Sequence, residues 1–445
     1  MKRSWRSKPV GPGLTVAFPL LVGSFLAVRL FVFIDRHAVN LLFWDQWDFW
    51  EGMFRGQSLW SLFRWQHGPH RQGLGYLVIA ACARLSAWDS RAESFVIGAL
   101  IVLSAVLALT LTRRLRGSWS PFDLAIPLIF LTLSQYEIMI GTLNPAHGVV
   151  PLLCVLAFAW ALQVERPAAR LPALVVLGVL GAYTGFGFFL GLVAPVVLAL
   201  LLIAAIRKRE AVVLHIVCLA LSIGGFASFF WGYRLDTGTG KALPAMGRIP
   251  DYLRYLVVLF AHPFELSGSD PVTAALGIAL VIGAIALVAW SGWRSLHAAR
   301  SSPLHLTLFA LSAFSLLFAI NASIGRTELG AGQARAPRYV PYMMPILLAG
   351  YLALSLSRLR PRWRTCLLLA VSVGLVAKEV AAPINEAVAI ERLSEGKRRW
   401  KACFLEEGDV ARCEQVSHFK VYPTAAPILW KLDYLREHHL NLFKP

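Results

Sequence analysis

The sequence is short of charge. Only 15% of its 445 residues are Asp, Glu, Lys or Arg, and the acidic ones number 25. A soluble domain carries about 25% charge, so an ordinary soluble enzyme is excluded, as is a disordered chain. There is no glycine repeat, which excludes a collagen, and no internal repeat or low-complexity segment. Cysteine is sparse, with six residues, and no two Cys or His pairs stand at zinc-module spacing. What the sequence has in abundance is apolar surface: 57% hydrophobic residues and a mean hydropathy of +0.61. Its solvent is therefore mostly lipid, and a lipid bilayer is the first partner implied. The net charge is 43 − 25 = +18. The basic residues stand in short clusters between apolar runs, so they read as topology signals and anionic-lipid contacts, not as a nucleic-acid footprint.

Apolar runs occupy 13–34, 93–112, 121–139, 147–163, 171–206, 211–231, 271–293, 303–321, 338–357 and 363–381. A crossing needs about 20 apolar residues, so the run 171–206 is too long for one. Gly185 and Gly187 within it permit a turn, which gives two short helices and eleven spans in all. The fold expected is an all-α integral membrane protein. Residues 1–381 form the polytopic membrane domain, and 382–445 form an extracytoplasmic C-terminal tail, too small for a core of its own and so packed on that domain. With the basic N-terminus in the cytoplasm, the clusters at Arg113–Arg116, Arg166–Arg170, Arg207–Arg209, Arg294–Arg300 and Arg358–Arg364 all fall inside. This holds if the stretch 73–88, which contains Arg84, lies at the interface within a first outer loop spanning 35–92. The first run is too long for a cleaved signal and reads as a retained helix.

Cys82, Cys154, Cys218 and Cys366 sit in apolar runs as small hydrophobes. Cys403 and Cys413 lie in the polar tail, where a disulfide is expected if the tail is outside; zinc is the rival reading.

The first outer loop is the richest in chemistry. Asp45, Asp48 and Glu51 would share a helix face, ringed by Trp44, Trp47, Phe49 and Trp50 at headgroup level. Carboxylates at such a boundary suit a general base acting on a lipid-tailed substrate, or a divalent cation site; a solvated interfacial face is the plain alternative. His67 and His70 could bind metal or substrate, and Arg71 a phosphate, although Gly68-Pro69 between the histidines argues against a regular helix. Glu137 and His147 border apolar runs, where ionisable groups point to function; Asn144-Pro145 reads as a helix cap. Arg335 and Arg338 stand on the outer side against the charge bias, which a lipid phosphate would explain, with ordinary outer-leaflet contact as the alternative. Gly330 and Gly332 loosen the loop before them. The loop 232–270 includes an interfacial helix near 250–262 and charged residues such as Asp236, Lys241 and Glu265.

This layout, acidic residues after the first helix and then a His-bearing segment and an interfacial helix, resembles the GT-C superfamily of polytopic glycosyltransferases. More closely it resembles a group of uncharacterised bacterial membrane proteins, through Asp45 to Phe49, Gln66 to Arg71, Gln135 to Glu137, Arg338-Tyr339, Trp400, Cys413, Tyr422-Pro423 and Lys431 to Leu435. The resemblance implies transfer of a sugar from a polyprenyl-phosphate donor to a cell-envelope glycan, lipid or protein acceptor. Asp45, then Asp48, would be the base or would hold a divalent cation such as Mg or Mn. Arg335, Arg338 and the adjoining Tyr339 would bind the donor, and His67, His70, Arg71, Glu137 and His147 would contact substrate. The location implied is the bacterial cytoplasmic (inner) membrane, with the N-terminus inside and the C-terminus outside. Gly68-Pro69 departs from the acidic residue that this group often carries between its histidines. A transporter or flippase of a lipid-linked sugar, and a non-catalytic envelope-assembly partner, are the alternatives.

Overall fold

A computed structural model describes residues 12–234, 246–264, 271–297 and 302–444. The basic N-terminal octapeptide and the loop residues Asp236, Lys241 and Glu265 lie outside them. The chain is about 81% helical with almost no strand. In order, the long helices are α1 (Pro12–His37), α6 (Ser90–Arg116), α11 (Phe188–Lys208), α14 (Pro271–His297), α15 (Pro303–Arg326) and α17 (Pro361–Glu407). Between α1 and α6 come α2 (Gln46–Phe49), α3 (Glu51–Phe54), α4 (Leu59–Phe63), strands β1 (Gln66–His67) and β2 (His70–Arg71), and α5 (Gly73–Ser86). The remaining helices are α7 (Ala125–Phe130), α8 (Tyr136–Ile140), α9 (Val149–Ala161), α10 (Pro167–Ala182), α12 (Val212–Ser228), α13 (Ile249–Ala261), α16 (Val340–Ser355), α18 (Val410–Ser417) and α19 (Ala426–Glu437).

Among the described residues, six helical segments are long and apolar enough to cross a membrane, or seven if the two halves of α17, bent by 43°, form one span. The protein is thus a multi-pass membrane protein in composition and length. Four further apolar helices, α5, α9, α10 and α12, run 10–17 residues. The long apolar run at 171–206 is divided into α10 and α11, at a 3-10 turn over Gly185–Gly187. Gly185 has φ +53, and a Cβ there would stand 1.9 Å from the Ala146 carbonyl oxygen, so no other residue fits.

Helix ends follow their local chemistry. The Asp89 carboxylate accepts from the Arg91 amide and starts α6; Gly117, at φ +80, stops it. Just beyond, the buried Asp123 carboxylate accepts from Arg116 and from the Tyr351 hydroxyl at 2.6 Å. One arginine of that basic cluster is therefore a structural tie.

The apolar side chains form two cores. The larger runs through the helix bundle. The second joins the first loop to the tail, with Trp47, Trp50 and Trp400 fully buried. Trp47, Phe49 and Trp50 are therefore core residues and not the bilayer anchors their spacing suggested, because they pack in the core that the loop and the tail share. Asn40 and Asn441 exchange hydrogen bonds at 2.8 and 2.9 Å, and the Trp44 amide donates to the Val421 carbonyl at 2.8 Å. The boundary read at 381/382 falls inside α17, whose second half carries the tail back to the loop. Cys403 and Cys413 are joined by a disulfide across the α17–α18 turn.

Candidate functional site

Asp45 is the N-cap of the one-turn helix α2, and Trp44 before it has φ +53. A bulky residue in that left-handed conformation is held there only by its surroundings, here the bond to Val421. α2 then brings Asp48 beside Asp45. The third turn residue expected on this face, Glu51, belongs instead to α3 and pairs with Lys431 at 2.6 Å. Lys431 also donates to the Trp47 carbonyl at 2.6 Å, so the tail fixes the loop from below. Tyr422, also from the tail, donates to Asp48.

Gly68-Pro69 forms the turn of a β-hairpin, with Gln66 opposite Arg71 and His67 opposite His70. Gly68 has φ +52, as the first central position of a tight hairpin requires. Facing residues of a hairpin share a face and neighbours alternate. His67 and His70 therefore point one way, and Gln66 and Arg71 the other. His67 stands edge-on to the Phe49 ring at 4.8 Å. Its ring nitrogen and the carboxylates of Asp45 and Asp48 lie within 4.8 Å of one another, so the three could share one metal ion. His70 packs at 5.3 Å from His147 and 4.1 Å from Phe186. Burial among these rings and the nearby charges of Arg326 and His67 push the His70 pKa down to about 3, so it is a neutral imidazole.

His147 meets the Gln72 amide at 3.3 Å, and the Asn144 amide donates to Gln72 at 3.0 Å. Asn144 is therefore not the helix cap expected of it. α9 begins only at Val149, and the Asn144 side chain closes a local turn onto the Ala146 amide at 2.9 Å. Glu137 and Arg338 form an ion pair at 2.6 Å. Tyr339 is buried against Phe318, with ring centroids 5.8 Å apart.

Burial raises the Asp45 pKa above the usual carboxylate range; Asp48 adds to this, and His67, Arg338 and Arg326 oppose it. Two arginines thus act on this carboxylate. One of them, Arg326 at the end of α15, lies beyond the apolar run 303–321 and is not singled out by the sequence. Arg335, which the sequence paired with Arg338, lies within electrostatic reach of His262 and is not among the charges acting on Asp45. Arg71 is also apart: its guanidinium donates to the Phe229, Arg64 and Trp231 carbonyls at 2.8, 2.7 and 2.7 Å, on the far side of the hairpin.

The arrangement can take a proton at Asp45, hold a divalent ion between two carboxylates and an imidazole, and set guanidinium charge opposite them. No family model, curated protein or solved structure matches the chain.

Proposed function

We propose that the protein is a membrane glycosyltransferase of GT-C type, moving a sugar from a polyprenyl-phosphate donor to a cell-envelope acceptor on the extracytoplasmic side of the bacterial inner membrane. The observation that carries this reading is the convergence of Asp45, Asp48 and His67 within 4.8 Å, beside the charges of Arg326 and Arg338, next to a bundle of apolar helices. In this reading all eleven apolar segments cross, with α9, α10, α12 and α16 as short spans and α5 at the interface. The disulfide supports an oxidising compartment for the tail.

The chemistry follows from the groups at hand. The acceptor hydroxyl gives its proton to Asp45 as its oxygen bonds to the anomeric carbon. The bond from that carbon to the phosphate oxygen breaks, and its electron pair leaves on the phosphate. Arg338 and Arg326 offset the charge that develops there. A raised carboxyl pKa makes Asp45 a stronger base. If a divalent ion belongs here, Asp45, Asp48 and His67 would hold it, the imidazole favours Mn over Mg, and the ion would supply further charge for the phosphate.

The test is a transfer assay on purified protein in lipid, with labelled polyprenyl-phosphate sugars and a membrane extract as acceptor. Transfer by wild type but not by Asp45→Asn or Asp48→Asn is expected. Normal modification by both variants would overturn the proposal. A transporter of the same lipid is the second reading, favoured by the ion pair of Arg29 with Glu379 between α1 and α17.

A further inference from the structure

The back of the hairpin carries a second feature. Where His67 faces the carboxylates and His70 packs on His147 and Phe186, Gln66 and Arg71 face an open cavity of about 640 Å³, also lined by Trp60, Arg64 and Arg234. Three guanidinium groups border it, and among the described residues no acidic one does. Among the described residues none of the three makes an ion pair with a carboxylate. Arg71 is only 2% exposed. A buried cation without a counter-charge is costly, and its three carbonyl partners offset this only in part. They occupy three of the five N–H groups of a guanidinium, and the Tyr183 and Phe229 rings lie 5.7 and 5.4 Å from its carbon, which leaves two N–H groups for a further acceptor.

The rest of the cavity is built and held. Gln66 donates to the Arg234 carbonyl at 2.6 Å and accepts from its amide at 3.0 Å, in the manner of an added strand. Arg64 donates to the Trp231 carbonyl at 3.0 Å. Trp60, on the cavity wall, is 64% exposed, and Trp231, whose carbonyl holds Arg64 and Arg71, is 78% exposed, as befits residues at a bilayer–water boundary.

We propose that this cavity binds a phosphate group, separate from the Asp45 site and back to back with it across the hairpin. Guanidinium forks match phosphate oxygens in pairs. The phosphate could be carried by a lipid headgroup, with its chains beside Trp60 and Trp231, or be free in solution; binding distinguishes the two.

Full-length protein in detergent micelles would be titrated by calorimetry with dioctanoyl phosphatidic acid, with dioctanoylglycerol as the uncharged control, and with inorganic phosphate. The comparison is between wild type, an Arg64→Gln/Arg234→Gln double variant, and Arg362→Gln on the remote start of α17. Arg71 is left intact because it holds three carbonyls, and a melting curve confirms that the double variant folds. Saturable binding, weakened about tenfold or more in the double variant and unchanged in Arg362→Gln, is expected. Tighter binding of the phosphatidic acid than of inorganic phosphate assigns the site to a lipid; equal binding assigns it to free phosphate. Absence of saturable binding by either, or binding undiminished in the double variant, overturns the proposal. The readout is binding, so it is independent of sugar transfer at Asp45.

Discussion

The Tyr422 hydroxyl meets both oxygens of the Asp48 carboxylate, at 2.9 and 3.1 Å, across 374 positions of chain. Burial and the Asp48 carboxylate push the Tyr422 pKa up to about 12, so it remains a donor at any working pH. Its bond orients the carboxylate toward Asp45 and His67. Tyr422→Phe keeps the ring in place and removes that orientation. A partner of a metal-holding carboxylate contributes about 10–100-fold to affinity, so Mn²⁺ titration should show a loss of that order with the melting temperature little changed. Unchanged Mn²⁺ affinity would mean that Asp48 needs no support, or holds no ion.

Asp45 gives a prediction in pH. Its carboxyl pKa is raised in the fold, chiefly by burial. The folded state thus prefers the protonated form, and above the unfolded value its ionisation costs stability. Asp45→Asn removes that cost. The variant should melt higher than wild type at neutral pH in the presence of a chelator. The gap should narrow as pH falls through the raised value and close below the usual carboxylate range, where the acid is protonated in both states. A difference that does not vary with pH would contradict the raised pKa. In transfer, the acid limb of the rate profile should lie above the usual carboxylate range.

Much of this site was legible because its parts are close in sequence. Asp45, Asp48 and His67 lie within one loop, and Gly68-Pro69 argues against a helix there, although it does not give the hairpin that sorts His67 from Arg71. The Gly185–Gly187 break was legible from run length and glycine alone. What could not be read was the tail over the loop. Nothing local in Tyr422 or Lys431 says that each will meet a residue more than three hundred positions away. Without that cover, Trp47 and Trp50 read as interfacial anchors, whereas they are core. Gln72 was missed, and Asn144 read as a helix cap, for a similar reason, since an amide bonded to a distant amide leaves no periodic signal.

Lys431 and Glu51 form a pair whose two halves should not be equal. Lys431 is 3% exposed, and besides Glu51 it has the Trp47 carbonyl and the faces of the Phe54 and Trp430 rings, but no second carboxylate among the described residues. Glu51 is 19% exposed and keeps Arg55 at 2.6 Å. Glu51→Gln therefore strands a buried ammonium and should cost about 3–5 kcal/mol. Lys431→Met leaves a carboxylate that still has a partner, and should cost less. The double variant should recover part of the loss. Thermal or denaturant melts of the purified protein decide the order; Lys431→Met as the worse variant would show that the tail is held by the lysine and not by the pair.

The arginines offer the sharpest comparison, because sequence and structure group them differently. The sequence pairs Arg335 with Arg338, three positions apart. The fold sets Arg326 and Arg338 to act on Asp45, whereas Arg335 acts on His262. If leaving phosphate is stabilised beside Asp45, the charge that matters is that of Arg326 and Arg338. Removing one preorganised donor from a developing anion costs about 10²–10³ in kcat. Arg326→Gln and Arg338→Gln should each fall by that order, and Arg335→Gln by much less, with KM for the donor separating binding from chemistry. Arg338→Lys tests the fork itself, since an ammonium keeps the charge but cannot hold Glu137 and a phosphate oxygen in one plane. Equal losses at Arg335 and Arg338 with Arg326→Gln unaffected would restore the grouping read from the sequence and move the phosphate toward His262.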